Sequence, residues 1–166
     1  MKIFYCDGST RGKNQRGADN IGGFGVVQFY DEDENHIEWT AQEESECTTN
    51  NREELKALIA ALERASALNE KCVIYCDSAY AVNSFNVWIH SWASNNWKNS
   101  KKQTVENLDL ILELWEYAKQ EWPNYSVEKT EGHIGIIGNE LADCLARDAW
   151  AKFNIILMEN GISCAV

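Results

Sequence analysis

Apolar residues along the chain form short runs and helical stripes, and this arrangement predicts alternating strands and helices. Residues 2–6 and 72–76 are apolar runs of strand length, which is typical of buried strands. Residues 22–30 and 36–41 flank the acidic segment 31–35, a pattern that predicts a hairpin. Three strands in sequence indicate an antiparallel meander. We expect the strand at 72–76 to lie parallel to the first strand, because a helix connects it to the meander.

The first long helix is predicted to begin at Asn50. Glu53 follows three residues later, so we expect a capping box and a solvated carboxylate there, with Glu63 and Arg64 solvated as well. Glu54 lies at the edge of the apolar stripe, and we expect its side chain to point towards the sheet. The stripe itself consists of Leu55, Leu58, Ile59 and Leu62.

The rest of the chain continues the same alternation. Short helices are predicted from Ala79 and near residues 87–92, a longer helix at 104–121, a strand at 125–129, and a final helix that opens at Gly138 or Asn139. Pro123 ends the longer helix. This pattern predicts an α/β fold with one domain at residues 1–155 and a C-terminal tail at 156–166, loose after Asn160. The predicted stripes of the two later helices are Leu108, Ile111, Leu112 and Trp115, and then Leu141, Leu145 and Trp150.

Composition limits the classes of protein that the chain can represent. It has 166 residues, 45% of them hydrophobic, and one proline, which is typical of one globular domain. Six cysteines lack the paired spacing of a zinc site, and a disulfide framework is not expected at this size. Three of them lie on or beside predicted strands, which favours small buried side chains in a reduced cytosolic protein. No signal peptide opens the sequence and no apolar run reaches the length of a membrane span, so we expect a soluble, cytoplasmic protein without membrane contact. We also expect a monomer.

The net charge of −11 excludes a protein that coats nucleic acid by bulk electrostatics, so any such contact must be local. Residues 78–105 contain no Asp or Glu, whereas the whole chain contains 26. In this segment Lys98, Lys101 and Lys102 are interleaved with tryptophans, and a positive charge beside flat aromatic rings suits phosphates and bases. The alternative is that Trp88 and Trp92, four residues apart, share a helix face and pack the interior.

Three carboxylates are expected to meet at one edge of the predicted sheet. Asp7 and Asp77 each end an apolar strand, and Glu54 lies in the first long helix. The carboxyl ends of parallel strands meet at one edge of a sheet, which is where open α/β folds place their sites. Two anions there repel each other unless cations lie between them.

Four motifs follow one another along the chain: Asp7-Gly8-Ser9, Thr48-Thr49-Asn50-Asn51-Arg52-x-Glu54-Leu55, Asp77-Ser78-x-Tyr80, and Gly132-His133-x-Gly135 followed by Gly138-Asn139-Glu140-x-x-Asp143. In this order they make the chain resemble type 1 ribonuclease H over residues 2–149. The resemblance implies a ribonuclease H-like fold, a mixed five-stranded sheet flanked by helices, and an endoribonuclease that cuts the RNA strand of RNA–DNA hybrids. It also implies two Mg²⁺ ions about 4 Å apart, with Mn²⁺ as a substitute, held by Asp7, Glu54, Asp77 and Asp143.

The resemblance also implies roles outside the metal site. His133 is expected to pass protons or to assist product release. Residues expected to contact the hybrid duplex are Thr49, Asn50, Asn51, Trp88, Trp97 and Lys98. The segment 88–102 is less basic than its counterpart in the family. The turn after Asp7 is long, so the substrate-contacting asparagine there is assigned only as a guess to Asn14.

Other interpretations remain open from the sequence. An aspartate in a helix, such as Asp143, is usually solvent-facing, and a loop histidine such as His133 is usually structural. Thr49 and Asn50 are also ordinary helix caps. The strand-end aspartates occur in transposase, integrase and Holliday-junction resolvase cores, and a binding module with an inactive site would share the fold. Cutting of labelled hybrid, duplex DNA, duplex RNA and single strands distinguishes these classes.

Overall fold

A computed structural model describes residues 1–11, 20–132 and 135–165 of the chain. These residues form a mixed sheet in the strand order β5-β4-β1-β2-β3-β6, flanked by helices. The predicted α/β architecture is therefore confirmed, although the sheet has six strands rather than five. Its strands are β1 (Lys2–Arg11), β2 (Ile21–Phe29), β3 (His36–Ser45), β4 (Cys72–Cys76), β5 (Tyr125–Lys129) and β6 (Ser163–Cys164).

The meander and the parallel strands both form as predicted. Strands β1, β2 and β3 pair antiparallel in sequence, and β4 pairs parallel with both β1 and β5. The first strand is longer than predicted, because it continues past Asp7 to Arg11 along β2. Its pairing with β4 ends at the rung Cys6–Cys76. Asp7 therefore lies where the parallel ladder ends, not where the strand ends.

Helices cover both faces of the sheet, and the two-residue alternation of β1 divides the core between them. Phe4 and Cys6 belong to the core on the side of α1, whereas Ile3 and Tyr5 belong to the core on the side of α5 and α6. The helices are α1 (Asn50–Ser66), α2 (Ala79–Asn83), α3 (Ile89–Ser94), α4 (Leu108–Ala118), α5 (Ile137–Ala146) and α6 (Trp150–Glu159), with a π-helical stretch at Ser84–Trp88 before α3.

Several predicted helix boundaries were wrong. Helix α4 begins at Leu108, four residues later than predicted, and its buried residues are Leu110, Ile111 and Leu114. Leu112 faces solvent, because the helix turns the face with Leu110, Ile111 and Leu114 towards the core. The predicted final helix is two helices, with a break at residues 147–149, and Trp150 begins the second one partly exposed.

The C-terminal residues are more ordered than the sequence predicts. Helix α6 passes through residue 155, the predicted domain end, and Ser163–Cys164 pair parallel with β3. The tail after Asn160 is therefore an edge strand over these residues rather than loose. Within the described ranges, no helix has both the length and the apolar character needed to cross a membrane.

Candidate active site

Three carboxylates from distant parts of the chain converge at one edge of the sheet. Asp7 comes from β1, Glu54 from the second turn of α1, and Asp77 from the residue after β4. One carboxylate oxygen from each lies within 4.8 Å of the others. Asp7 and Glu54 are buried, and Asp77 is partly exposed. The sequence therefore predicted this convergence correctly, including the inward direction of Glu54.

A glycine allows α1 to approach β1 closely enough to bring Glu54 into the cluster. A Cβ atom at Gly8 would overlap the backbone of Glu53 and Glu54. The Gly8 amide donates a hydrogen bond to Glu54 Oε2, at 3.1 Å. This bond holds one oxygen of Glu54 beside β1, so the Asp-Gly pair both supplies a carboxylate and positions another.

The cluster carries more negative charge than the protein alone can accommodate. Burial, together with the neighbouring carboxylates of Glu54, Asp77 and Asp143, raises the pKa of Asp7 to about 10. Burial and the charge of Asp77 raise the pKa of Glu54 well above its usual range. In the metal-free protein this crowding favours bound protons at the site. A cation between the oxygens would remove the repulsion.

Asp143 joins the cluster from α5, which packs on the face of the sheet opposite to α1. This aspartate lines the same pocket as the other three carboxylates, and it is one of the acids that raise the pKa of Asp7. Its Oδ1 accepts a hydrogen bond from Arg147 Nε at 2.8 Å, one turn later in the chain. The structure thus brings together all four acidic residues predicted from the sequence. It also places the positively charged side chain of Arg147 beside Asp143.

Several pocket residues were not identified as site residues from the sequence. Asn139 is buried, its Nδ2 lies 3.5 Å from Asp77 Oδ2, and its Oδ1 has no hydrogen-bond partner within the described part of the chain. Gly132 also approaches Asp77, since an added Cβ would lie 2.9 Å from Asp77 Oδ2. Arg147 and Lys152 line the pocket as its cations. The four-residue spacing between Asp143 and Arg147 in a helix could have predicted their contact. No feature of the sequence indicated that Lys152 lines the pocket.

Two predicted site residues lie outside the part of the chain that the structure describes. His133, predicted to move protons, falls between the described ranges 20–132 and 135–165. Asn14, the guessed substrate contact, falls between 1–11 and 20–132. Both assignments stay predictions.

The start of α1 borders the site. Thr49 is the N-cap residue, and its hydroxyl accepts a hydrogen bond from the Arg52 amide at 3.2 Å. Asn50 is exposed and lines the carboxylate pocket, and Asn51 is exposed beside it. The cap therefore lies one residue before the predicted one. Glu53 consequently falls beyond the position of a capping box, so that prediction was wrong.

Glu53 is the clearest error among the predicted surface residues. Its side chain is fully buried rather than solvated. Oε1 lies 3.4 Å from Lys56 Nζ, and Oε2 has no partner among the described residues. Nearby, the buried hydroxyls of Ser9 and Thr48 are also unpartnered in the described structure. The close approach of α1 to β1 at Gly8 explains the burial, since it covers the face of the helix that carries Glu53.

The tryptophan segment divides between packing and exposure. Trp97, which was expected to contact the hybrid, packs edge-on against Trp115, with ring centroids 5.9 Å apart, so its ring contributes to the core. Trp88 is more exposed than Trp97, and its ring centroid lies 5.9 Å from that of Trp92. Lys98 Nζ lies 3.1 Å from Thr104 Oγ1 across an isolated bridge. A surface groove beside these residues is lined by Trp88, Ser91, Trp92, Asn95, Lys98, Asn99 and Ser100.

The donor atoms at the site fit a hard divalent cation. The four carboxylates supply oxygen ligands, which Mg²⁺ and Mn²⁺ prefer. No histidine or thiol joins the three-carboxylate group among the described residues. The crowding of the carboxylates gives the same indication, because it is relieved by bound positive charge.

An α/β fold with four carboxylates at the end of a parallel ladder defines a class of metal-dependent nucleases. The RNase H family model matches residues 1–151, so the chain belongs to the RNase H family and is a hydrolase of the nuclease class. Ribonuclease H of Clostridium botulinum strain Hall is 38% identical to it over 158 residues, which cover 92% of this chain and 97% of that protein.

Two solved structures share the fold. LC9-RNase H1, a type 1 RNase H with the type 2 active-site motif, has a TM-score of 0.75 at 25% identity, and the match covers 98% of this chain and 85% of that one. LC11-RNase H1, in complex with RNA/DNA hybrid, has a TM-score of 0.60 at 24% identity, with 92% and 98% of the two chains covered.

Proposed function

We propose that this protein is an endoribonuclease that hydrolyses the RNA strand of RNA–DNA hybrids with two divalent metal ions and leaves 3′-hydroxyl and 5′-phosphate ends. Family membership supports the activity, and the hybrid bound to LC11-RNase H1 supports the substrate. The observation that carries the proposal is the approach of Asp7, Glu54 and Asp77 within 4.8 Å. Such an arrangement of carboxylates is costly unless it serves to bind cations.

Mg²⁺ is the proposed cofactor, with Mn²⁺ as a substitute, and Asp7, Glu54, Asp77 and Asp143 are its proposed ligands. When bound, the ions would supply the charge that activates water and stabilises the phosphate transition state. The protein residues prepare this arrangement. The Gly8 amide fixes one oxygen of Glu54, and the Asn139 amide lies against Asp77. The Arg147 guanidinium donates a hydrogen bond to Asp143 and orients this carboxylate, which would be the fourth ligand of the ions.

Hybrid binding is proposed for two surfaces beside the carboxylates. At the start of α1, Thr49, Asn50 and Asn51 offer polar side chains and free amides to a phosphate, and Asn50 already lines the pocket. The second surface is the groove with Trp88 and Lys98, where a ring and an ammonium group lie together. Trp97 supports this groove through its packing against Trp115.

His133 is proposed to transfer protons or to assist product release, on the strength of its motif alone. We expect His133→Ala to slow turnover without abolishing it. An unchanged rate would assign His133 a structural role.

The substrate class is tested with labelled RNA–DNA hybrid, duplex DNA, duplex RNA and single strands, each with Mg²⁺ or with a chelator. We expect cleavage of the RNA strand within the hybrid only, and only with the metal. Equal cutting of duplex DNA would indicate a transposase- or resolvase-like enzyme. Binding without cutting would indicate an inactive module. End analysis of the fragments tests for the 3′-hydroxyl and 5′-phosphate.

The residue assignment is tested by Asp77→Asn, with Asp33→Asn as the matched control. Asp33 is exposed in the turn between β2 and β3, far from the site in the chain. We expect Asp77→Asn to remove activity while the fold is retained, and Asp33→Asn to leave activity unchanged. Full activity in Asp77→Asn would overturn the assignment of the metal site.

A further inference from the structure

Two buried thiols lie directly behind the catalytic carboxylates. Cys6 and Cys76 are register partners on the adjacent parallel strands β1 and β4. Each immediately precedes an aspartate of the metal site, Asp7 or Asp77. Their sulfur atoms are 2.7 Å apart, and both residues are almost fully buried. No other pair of cysteine sulfurs in the described part of the chain makes such a contact.

We propose that Cys6 and Cys76 form a reversible modification site, a cross-strand disulfide that lowers the activity of the enzyme. Neighbouring strands lie about 4.8 Å apart, within the Cα separation of about 4.4–6.8 Å that a disulfide spans. The two sulfurs already lie closer than van der Waals contact, so the strands need little movement to be joined. The side chains share one face of the sheet, because register partners in a parallel pair point to the same side.

The position of the pair connects it to catalysis. The Cys6–Cys76 rung is the last one of the β1–β4 ladder, and the chains beyond it carry Asp7 and Asp77. A covalent bond at this rung fixes the spacing of the strand ends on which both aspartates lie. The four crowded carboxylates must adjust when ions and substrate bind, and displacements of about 1 Å in an active site reduce turnover up to about a hundredfold.

Hydrogen peroxide represents the class of oxidant that suits the site, because it is small and uncharged and both thiols are sealed from larger reagents. One sulfur takes a hydroxyl group from the peroxide and becomes a sulfenic acid, and its thiol proton leaves with the other peroxide oxygen as water. The second sulfur then attacks the first, the S–O bond breaks, and a second water leaves. Two thiols and one peroxide thus give one disulfide and two waters, and an external dithiol reverses the change.

The site is tested on the full chain with Mg²⁺, by titration with hydrogen peroxide followed by thiol blocking, intact mass and peptide mapping. We expect a Cys6–Cys76 cross-linked peptide and the loss of two hydrogens from the mass, both reversed by dithiothreitol. The absence of this peptide under conditions that oxidise the exposed Cys47 would overturn the proposal. This measurement does not depend on the proposed function, so a failure of the disulfide proposal can be distinguished from a failure of the nuclease assay.

The effect on activity rests on the proposed function and is measured on hybrid cleavage. We expect turnover of the oxidised protein to fall by about tenfold and to recover with dithiothreitol. Cys76→Ala and Cys6→Ala should each remain active and lose the response to peroxide, and either one suffices if the other fails to fold. The matched control is the double variant Cys47→Ala with Cys164→Ala, which should keep the response. A cross-link without loss of turnover, or a loss that persists in Cys76→Ala, contradicts the proposal.

Discussion

At the scale of single residues, the site is defined by carboxylates whose mutual repulsion the metal-free fold tolerates. Asp7 is the centre of this repulsion, because its own burial and the other three acids all raise its pKa, to about 10. An aspartate in the unfolded chain has a pKa of about 4. Between these two values the unfolded chain has released a proton that the folded chain keeps. The contribution of Asp7 to stability therefore falls as pH rises from about 4 towards about 10.

We accordingly expect Asp7→Asn to abolish turnover and to raise the stability of the metal-free protein. The neutral amide cannot ionise, so the penalty at alkaline pH disappears. The measurement is chemical denaturation with a chelator at about pH 5 and about pH 8. The gain over the wild type should be larger at the higher pH, by an amount above about 1 kcal/mol. A variant less stable than the wild type at both pH values would contradict this account.

Glu53 supplies a second prediction at this scale. Its carboxylate is fully buried, with one contact to Lys56 at 3.4 Å and one oxygen unpartnered in the described structure. A buried carboxylate with an unpartnered oxygen carries a desolvation cost that an apolar side chain of similar volume does not, and the partly exposed Lys56 is not left as a buried unpaired charge. We expect Glu53→Met to raise the melting temperature in thermal denaturation. Lys56 is then left with Ser45 Oγ as its partner.

Glu63→Met is the matched control, since Glu63 lies in the same helix on its exposed side. It should leave the melting temperature nearly unchanged. Destabilisation of Glu53→Met by more than the control would contradict the view that the burial of Glu53 is costly.

At the scale of elements, the sequence predicted the features that follow from the spacing of apolar residues along one element. It missed the features that depend on how closely two elements pack. The inward direction of Glu54 followed from its place beside an apolar stripe. The burial of Glu53 did not, because it results from the fit of α1 against Gly8 in β1. Similarly, the start of α4 depends on Asn107, which has a left-handed φ of 56° and hydrogen bonds with Tyr80 and Arg52. No periodic signal marks such an N-cap.

The C-terminal strand shows the same limit. Strand β6 has two residues, too few for any alternating pattern, and it forms because β3 offers a free edge. The Ser163 amide donates to the Asn35 carbonyl and the Ala165 amide to the Ile37 carbonyl, each at 3.0 Å. Ile162 packs against the core on the side of α5 and α6. A tail predicted as loose thus covers part of the buried residue Ile37.

We therefore expect truncation after Asn160 to destabilise the protein and to leave the chemistry intact. Removal of two edge hydrogen bonds and of the packing of Ile162 should cost about 2 kcal/mol. Denaturant unfolding measures this cost, and the hybrid assay at low temperature checks that turnover is unchanged. Ser163→Ala is the control, since it removes only the side-chain contacts of β6 with His36 and Asn35. Equal free energies of unfolding for the truncated and complete chains would show that β6 contributes nothing to stability.

At the scale of the whole molecule, charge is distributed unevenly and determines how a hybrid can bind. The net charge is −11, so long-range forces repel a polyanion and attraction must come from local cations. The segment 78–105, without any acid, is the place where such attraction can act. Its groove carries Lys98, with Lys101 and Lys102 exposed in the following turn. Salt screens both forces, so it favours binding by weakening the general repulsion and disfavours binding by weakening the local attraction.

Removal of the three lysines together therefore tests whether this segment holds the duplex. Each lysine that neutralises a phosphate should contribute about 1 to the magnitude of the slope of log affinity against log salt. Binding is measured in the Asp77→Asn background, so that the hybrid stays uncut. We expect the variant with Lys98, Lys101 and Lys102 all changed to Ala to bind hybrid more weakly and with a shallower slope.

Lys119→Ala is the control for this measurement, because Lys119 already pairs with Glu116 on α4 at 2.8 Å. It should keep the slope of the protein that retains all its lysines. If the triple variant keeps that slope as well, the phosphates are held at the start of α1 and by Arg147 and Lys152, and the tryptophan groove does not contact the backbone of the hybrid.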